Sequence, residues 1–160
     1  MAKVTQRITP FLWFDDRAEE AARFYVSIFP NSKIRSTARY DEGTAKAAQR
    51  PAGSVMTVAF ELDGQEFVAL NGGPVFAFTE AVSFVVNCET QKEIDHYWGA
   101  LSAGGQEVQC GWLKDRFGLS WQVVPTILNE LLQGDPEKAK RAMAALMTMK
   151  KLDIERLRSA

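Results

Sequence analysis

Short apolar runs alternate along the chain with stripes at helical spacing. Residues 8–14 (ITPFLWF) form an apolar, aromatic run of strand length. Asp16 and Glu19 then have capping-box spacing, and Ala18, Ala21, Ala22, Tyr25, Val26 and Phe29 recur as one helical face ended by Pro30-Asn31. Residues 33–40 read as a modest strand. Residues 41–53 are small, polar and punctuated by Pro and Gly, which predicts a loop. Residues 55–62 and 65–71 read as two strands around Asp63-Gly64, a hairpin dipeptide whose turn requires positive φ.

Gly72-Gly73-Pro74 breaks this pattern, and a similar order then restarts. Residues 82–88 read as a strand, and Thr90 with Glu93 forms a capping box. Ile94, Tyr97, Trp98 and Leu101 make a helical stripe stopped by Gly104-Gly105. Residues 107–109, 111–114 and 119–124 are strand candidates, with a turn at Asp115-Arg116-Phe117-Gly118 and a stop at Pro125. Glu19 and Glu93, and Phe24-Tyr25 and Tyr97-Trp98, align at an offset of about 73 residues. The pattern predicts a duplicated βαβββ unit: a first module over 1–74, a second over 75–126 and a helical extension over 127–160, together one structural domain. In the extension, Asp135-Pro136-Glu137 is a helix start, and Ala139, Ala142, Met143, Leu146 and Met147 form one apolar face.

Composition narrows the chemistry. The chain has 160 residues, 46% hydrophobic and 24% charged, with a net charge of −1. That balance predicts no attraction to nucleic acid or to an anionic membrane, and no apolar run has the length of a span. Residues 1–7 carry charge with no apolar stretch behind it, so no signal peptide is expected. Cys88 and Cys110 make no disulfide framework and are expected as reduced thiols in a cytoplasm. His96 is the single histidine, which excludes sites needing two His ligands from one chain.

Four segments carry a family resemblance. Phe11-Leu12-Trp13-Phe14-Asp15, Glu19-Glu20-Ala21-Ala22-Arg23-Phe24-Tyr25, Ala69-Leu70-Asn71-Gly72-Gly73-Pro74 and the stretch from Cys110 to Gln122 (CGWLKDRFGLSWQ) resemble the PhnB-like branch of the vicinal oxygen chelate superfamily. This is the 3-demethylubiquinone-9 3-methyltransferase-like domain, related to glyoxalases, bleomycin resistance proteins and dioxygenases. The tail Met149-Lys150-Lys151-Leu152-Asp153 fits the same branch. The resemblance implies an α+β fold in which paired βαβββ modules form a curved eight-stranded cup, and it implies a homodimer. In metal-dependent relatives four cup positions bind a divalent ion. Here those positions fall at Thr9, Ala69 or Asn71, Ser83 and Gln122, of which Gln122 alone is a usual ligand type. Neutral amides and hydroxyls bring no charge to such an ion, so no metal or other cofactor is expected.

Strand parity then selects a candidate lining. Thr9, Phe11 and Trp13 share one parity, as do Phe67, Ala69 and Asn71; Ser83, Val85 and Asn87; Cys110 and Trp112; and Ser120, Gln122 and Val124. The expected ligand-binding set is Thr9, Phe11, Trp13, Phe67, Asn71, Ser83, Asn87, Cys110, Trp112 and Gln122. An aromatic surface with a few uncharged hydrogen-bonding groups suits a small, partly aromatic molecule. The same groups would also satisfy one another in a closed barrel. Other readings stay open: an enzyme of lyase, isomerase or dioxygenase type acting through Gln122 or Cys110, a scaffold joined through the Met-rich helix, or, by family label, a demethylubiquinone methyltransferase. The last lacks the G-x-G-x-x-G turn of a dinucleotide-type fold. Cys110 reads either as a thiol activated by nearby Lys114 or Arg116, or as structural. Asp115-Arg116 reads as a charged pair at the cup mouth or a solvated turn. The 41–53 loop, with Lys46 and Arg50, reads as a lid or a surface loop. No catalytic residue is assigned.

Overall fold

Strand β1 (Phe11–Phe14) buries Leu12 and Phe14 and leaves Phe11 exposed, so alternation starts at its first residue. The computed structural model describes residues 3–160; the Met1-Ala2 start of the expected leader-free segment and of the first module lies outside them. The described residues divide into two compact units, one ending at Ala77 and the other spanning Phe78–Ala160.

In the first unit β1 leads to α1 (Ala18–Ile28), β2 (Lys33–Arg39), α2 (Glu42–Ala48), β3 (Val55–Leu62) and β4 (Gln65–Asn71). The sheet order is β1-β4-β3-β2, with β1 parallel to β4 and the other neighbours antiparallel. Ala18, Ala21, Ala22, Tyr25 and Ile28 form the buried stripe of α1. Tyr25 stacks on Phe60, and Phe60 on Phe67, with centroids 6.3 and 5.5 Å apart. Asp63 and Gly64 both adopt positive φ (47° and 81°), as the hairpin signal predicts.

Two local expectations are corrected. The helix α1 begins at Ala18, so Glu19 sits one position short of the place a capping box needs, and no side chain of its own segment caps it. Glu19 and Glu20 instead pair with Arg23 and Arg17. The predicted 41–53 loop contains α2, because Asp41 and Thr44 cap each other reciprocally ahead of helix-forming alanines. Gln49, at φ 55°, then turns the chain out of the helix.

The second unit repeats the order: β5 (Ser83–Cys88), α3 (Gln91–Ser102), β6 (Gln106–Glu107), β7 (Trp112–Lys114) and β8 (Ser120–Pro125). Its sheet order is β5-β8-β7-β6, and β5 runs parallel to β8. Both units are therefore βαβββ modules with the same strand order, and the fold is α+β. The Thr90–Glu93 capping box forms as predicted. β7 starts at Trp112 because Cys110 and Gly111 both adopt positive φ (61° and 82°), which ends strand alternation there.

Helices α4 (Ile127–Gln133), α5 (Pro136–Leu146) and α6 (Ile154–Arg158) complete this unit. Asp135 caps α5 through the Lys138 N–H, as its sequence predicts. Leu146, Met149, Leu152 and Leu157 form a buried cluster against which Cys110, Leu128, Leu131 and Ala145 pack. The Met149 and Lys150 carbonyls accept from the Cys110 and Gly111 N–H groups, both at 2.8 Å.

Candidate functional site

Cross-strand register assigns each candidate to a face. In the first unit Phe11 pairs with Val68 and Trp13 with Leu70, while Val68 pairs with Ala59 and Leu70 with Thr57. These side chains share the face opposite α1. Phe11 is exposed and Trp13 half-buried. The Trp13 indole Nε1–H donates to the Gly73 carbonyl at 2.9 Å, and its ring meets Phe76 edge-on at 4.9 Å. Bare Gly72 makes room for it: a Cβ there would stand 2.2 Å from the indole.

Phe67 and Asn71 do not belong to that face. Register pairs Phe67 with Phe60, Ala69 with Leu12 and Val58, and Asn71 with Phe14, all on the α1 side, and both residues are buried. Asn71 Oδ1 accepts the Ala18 N–H at 2.8 Å and so caps α1. Asn71 Nδ2 donates to the Val55 carbonyl at 3.1 Å, and the Tyr40 hydroxyl donates to the Asn71 carbonyl at 2.6 Å. Thr9 precedes β1, so strand alternation does not orient it. Its Oγ1 lies 3.4 Å from Gln6 Nε2, and Gln6 in turn grips both backbone groups of Glu66.

In the second unit Val85 and Trp112 both pair with Gln122, Ser83 and Lys114 with Ser120, and Asn87 with Val124. Ser83, Asn87, Trp112 and Gln122 thus share the face opposite α3. Gln122 Nε2 donates to Ser83 Oγ at 2.9 Å. Ser120 is buried on the same face, and its Oγ has no hydrogen-bond partner. Lys114 Nζ pairs with the Glu80 carboxylate, and this hydrogen bond holds Glu80 below the usual carboxylate range.

Cys110 leaves the expected set. Its left-handed backbone breaks the parity with Trp112, and its Sγ lies 3.7 Å from Met147 Sδ, against the helical extension. Cys88 is buried, and desolvation followed by the Glu93 charge pushes its thiol up to about 12. Asp115 is neither a mouth charge nor a solvated turn. It is buried, and its carboxylate accepts from the Phe117 and Leu119 N–H groups at 2.8 and 3.1 Å and from Trp121 Nε1–H at 2.9 Å.

The residues at the metal positions of the superfamily do not fit an ion. Ala69 has no ligating side chain, Asn71 is consumed as a cap, and Thr9, Ser83 and Gln122 offer only uncharged oxygens to a divalent ion. His96 lies on α3, edge-on to Tyr97. Among the described residues no group of three or more His, Cys, Asp or Glu is placed to hold a metal. No helix among them is long and apolar enough to cross a membrane. Sequence reasoning missed the cap at Asn71, the burial of Asp115 and the half-buried Arg50, and the low hydrophobicity of residues 41–53 hid α2.

Comparison with known proteins bears on the whole arrangement. Residues 6–124 match the family described as 3-demethylubiquinone-9 3-methyltransferase. A Bacillus cereus PhnB protein, described as a candidate enzyme of that name, is 38% identical over 76% of this chain and 100% of its own, with a TM-score of 0.67. A Pseudomonas aeruginosa protein shares 20% identity over 76% of this chain and 98% of its own, at a TM-score of 0.59. The fosfomycin resistance protein FosX of Listeria monocytogenes, complexed with Mn(II) and sulfate, shares 15% identity over 82% of this chain and 98% of its own, at 0.53. The last two show the fold alone. No curated protein matches the chain. With two βαβββ modules of common strand order and a family match across both, the chain belongs to the PhnB-like, 3-demethylubiquinone-9 3-methyltransferase-like family of the vicinal oxygen chelate superfamily.

Proposed function

We propose that this chain is a metal-independent PhnB-like protein whose modules bind small, partly aromatic molecules on their own sheet faces, opposite α1 in the first unit and opposite α3 in the second. One observation carries the reading: half-buried Ser83 and Gln122, hydrogen-bonded to each other, share one sheet face with half-buried Trp112 and exposed Val85. A ligand carbonyl or hydroxyl engages the Ser83–Gln122 pair, and Trp112 and Val85 supply apolar contact. On the face opposite α3 the uncharged Ser83, Trp112 and Gln122, flanked by the Lys114–Glu80 ion pair, hold a ligand by shape and hydrogen bonding.

The test is a panel of aromatic ketones, phenols and quinones followed by heteronuclear NMR of the indole N–H groups. Binding is expected to shift the Trp112 resonance and to weaken about tenfold in Gln122→Leu. Stoichiometric Ni, Zn, Mn or Fe in the purified protein, or an unmoved Trp112 across the panel, would sink the reading. A homodimer in the cytoplasm belongs to the same proposal. All of β2 is exposed along a sheet edge that a second copy would cover, and both cysteines are free. A monomer by light scattering at micromolar concentration would refute the dimer.

A further inference from the structure

Arg50 follows α2 directly, its N–H donating to the Ala45 carbonyl at 2.9 Å. Its side chain is only 18% exposed. Burying a guanidinium is costly unless charge and hydrogen bonds compensate it, and Arg carries its charge at every physiological pH. Here compensation is incomplete. Nη1 lies 3.7 Å from Asp15 Oδ1, beyond hydrogen-bond reach, and the Asp15 side chain is 56% exposed. Arg50 Nε is buried with no partner at all.

The surroundings are those of a ligand end rather than of a core. Asp15 follows β1 and Gly73 follows β4, and these strands are parallel, so both lie at the same end of the sheet. Arg50 Nη1 is 3.7 Å from where a Cβ of Gly73 would stand, and the Gly73 carbonyl anchors the Trp13 indole. Trp13 meets Phe76, which is 65% exposed. An unsaturated cation and two aromatic rings therefore share one corner of the first unit.

We propose that Arg50 is an oxyanion-binding residue, and that the molecule it takes carries a carboxylate or phosphate on an aromatic body resting against Trp13 and Phe76. The Nη1–Nη2 edge of the guanidinium matches the two oxygens of such a group, and Asp15 is the weak partner it displaces. This rests on reading the face opposite α1 as a ligand surface, and it names the ligand class for that surface.

The experiment compares benzoate, phenyl phosphate and neutral benzamide at pH 7.5 and low salt. Calorimetry gives affinity, and the indole N–H resonance lost in Trp13→Phe reports the place. At least one of the two anions is expected to bind about tenfold tighter than benzamide and to shift the Trp13 resonance. Arg50→Gln is expected to erase that preference. Asp15→Asn, which removes the competing carboxylate, is expected to tighten anion binding a few fold, and it decides the matter if Arg50→Gln fails to fold. Benzamide binding as well as both anions, or an Asp15→Asn variant without gain, overturns the assignment of Arg50 while the ligand surface stands. If none of the three compounds moves Trp13, the surface reading falls as well.

Discussion

Replacing Asn71 by Ala separates a structural role from a ligand-binding one. Asn71 Oδ1 caps α1 by accepting the Ala18 N–H at 2.8 Å, and its Nδ2 donates to the Val55 carbonyl at 3.1 Å. Truncation leaves the Ala18 N–H buried without a partner, and the first turn of α1 loses its side-chain acceptor. One unmet buried donor costs about 1–3 kcal/mol, and a lost N-cap is worth about 1 kcal/mol, a sum that overlaps in part. Freeing the Val55 carbonyl adds to this, so the expected loss is about 2–4 kcal/mol. That is a large share of the roughly 5–15 kcal/mol that holds a domain together. Equilibrium urea unfolding followed by circular dichroism measures it as a lower midpoint at unchanged slope, and thermal melting falls by about 5–15 °C. Asn71→Asp keeps the acceptor at the positive end of α1 but sets oxygen against the Val55 carbonyl, so it falls between wild type and Asn71→Ala. A loss below about 0.5 kcal/mol for Asn71→Ala, or Asn71→Asp as the weaker of the two, refutes the cap. A residue facing ligand would show the opposite pattern: stability kept and affinity lost.

Further outcomes follow from the same geometry. Gly72→Ala places a methyl 2.2 Å from the rigid Trp13 indole, so the ring is expected to swing off its Gly73 bond at a cost of about 1–3 kcal/mol, read as a displaced Trp13 N–H resonance. Asp115→Ala leaves three donors unmet (Phe117, Leu119 and Trp121) and is expected to cost at least about 3 kcal/mol in urea unfolding, with Asp115→Asn milder because Oδ1 still accepts two of them. Cys88, raised from 9.0 to about 12, stays a thiol at pH 8, so a disulfide reagent is expected to label Cys110 first and Cys88 only after denaturation. Because the folded value exceeds the unfolded one, the Cys88 contribution to stability is whole below pH 9.0 and is lost as pH rises toward about 12, a decline that Cys88→Val abolishes.

The modules were legible because their signals are local. Asp63-Gly64 specifies a turn with its own two residues, and Thr90 with Glu93 caps α3 within one helical turn. Leu12 and Phe14 against Phe11 and Trp13 follow from alternation in a short regular strand. On the second sheet, Ser83, Asn87, Trp112 and Gln122 were grouped correctly by the same rule, since β5, β7 and β8 are regular through those residues. The rule failed where its premise failed. Two consecutive left-handed residues detach Cys110 from β7, and Thr9 lies ahead of β1. The hidden α2 shows the complementary error: seven residues with one buried side chain carry almost no hydrophobic signal, and their helix is fixed by reciprocal capping.

Asn71 and Phe67 went astray for a reason that concerns duplicated folds more widely. Parity inside β4 groups Phe67, Ala69 and Asn71 correctly; only the register with β1 and β3 says which side of the sheet they occupy. A polar residue at the end of a strand invites a binding role. Yet β4 lies parallel to β1, and β1 feeds α1, so the last residue of β4 stands beside the unpaired N–H groups that open the helix. A side-chain amide there has a partner waiting. The second module confirms the logic by doing without it. The last residue of β8 is Pro125, opposite Cys88, and it has no polar side chain to offer; Thr90 caps α3 from within its own segment. Each module therefore needs one acceptor at its helix start, and the strand end is free for another role only where the helix caps itself. By that argument polar strand ends in the first module belong to the scaffold, and chemistry on its sheet is left to the face that carries Trp13.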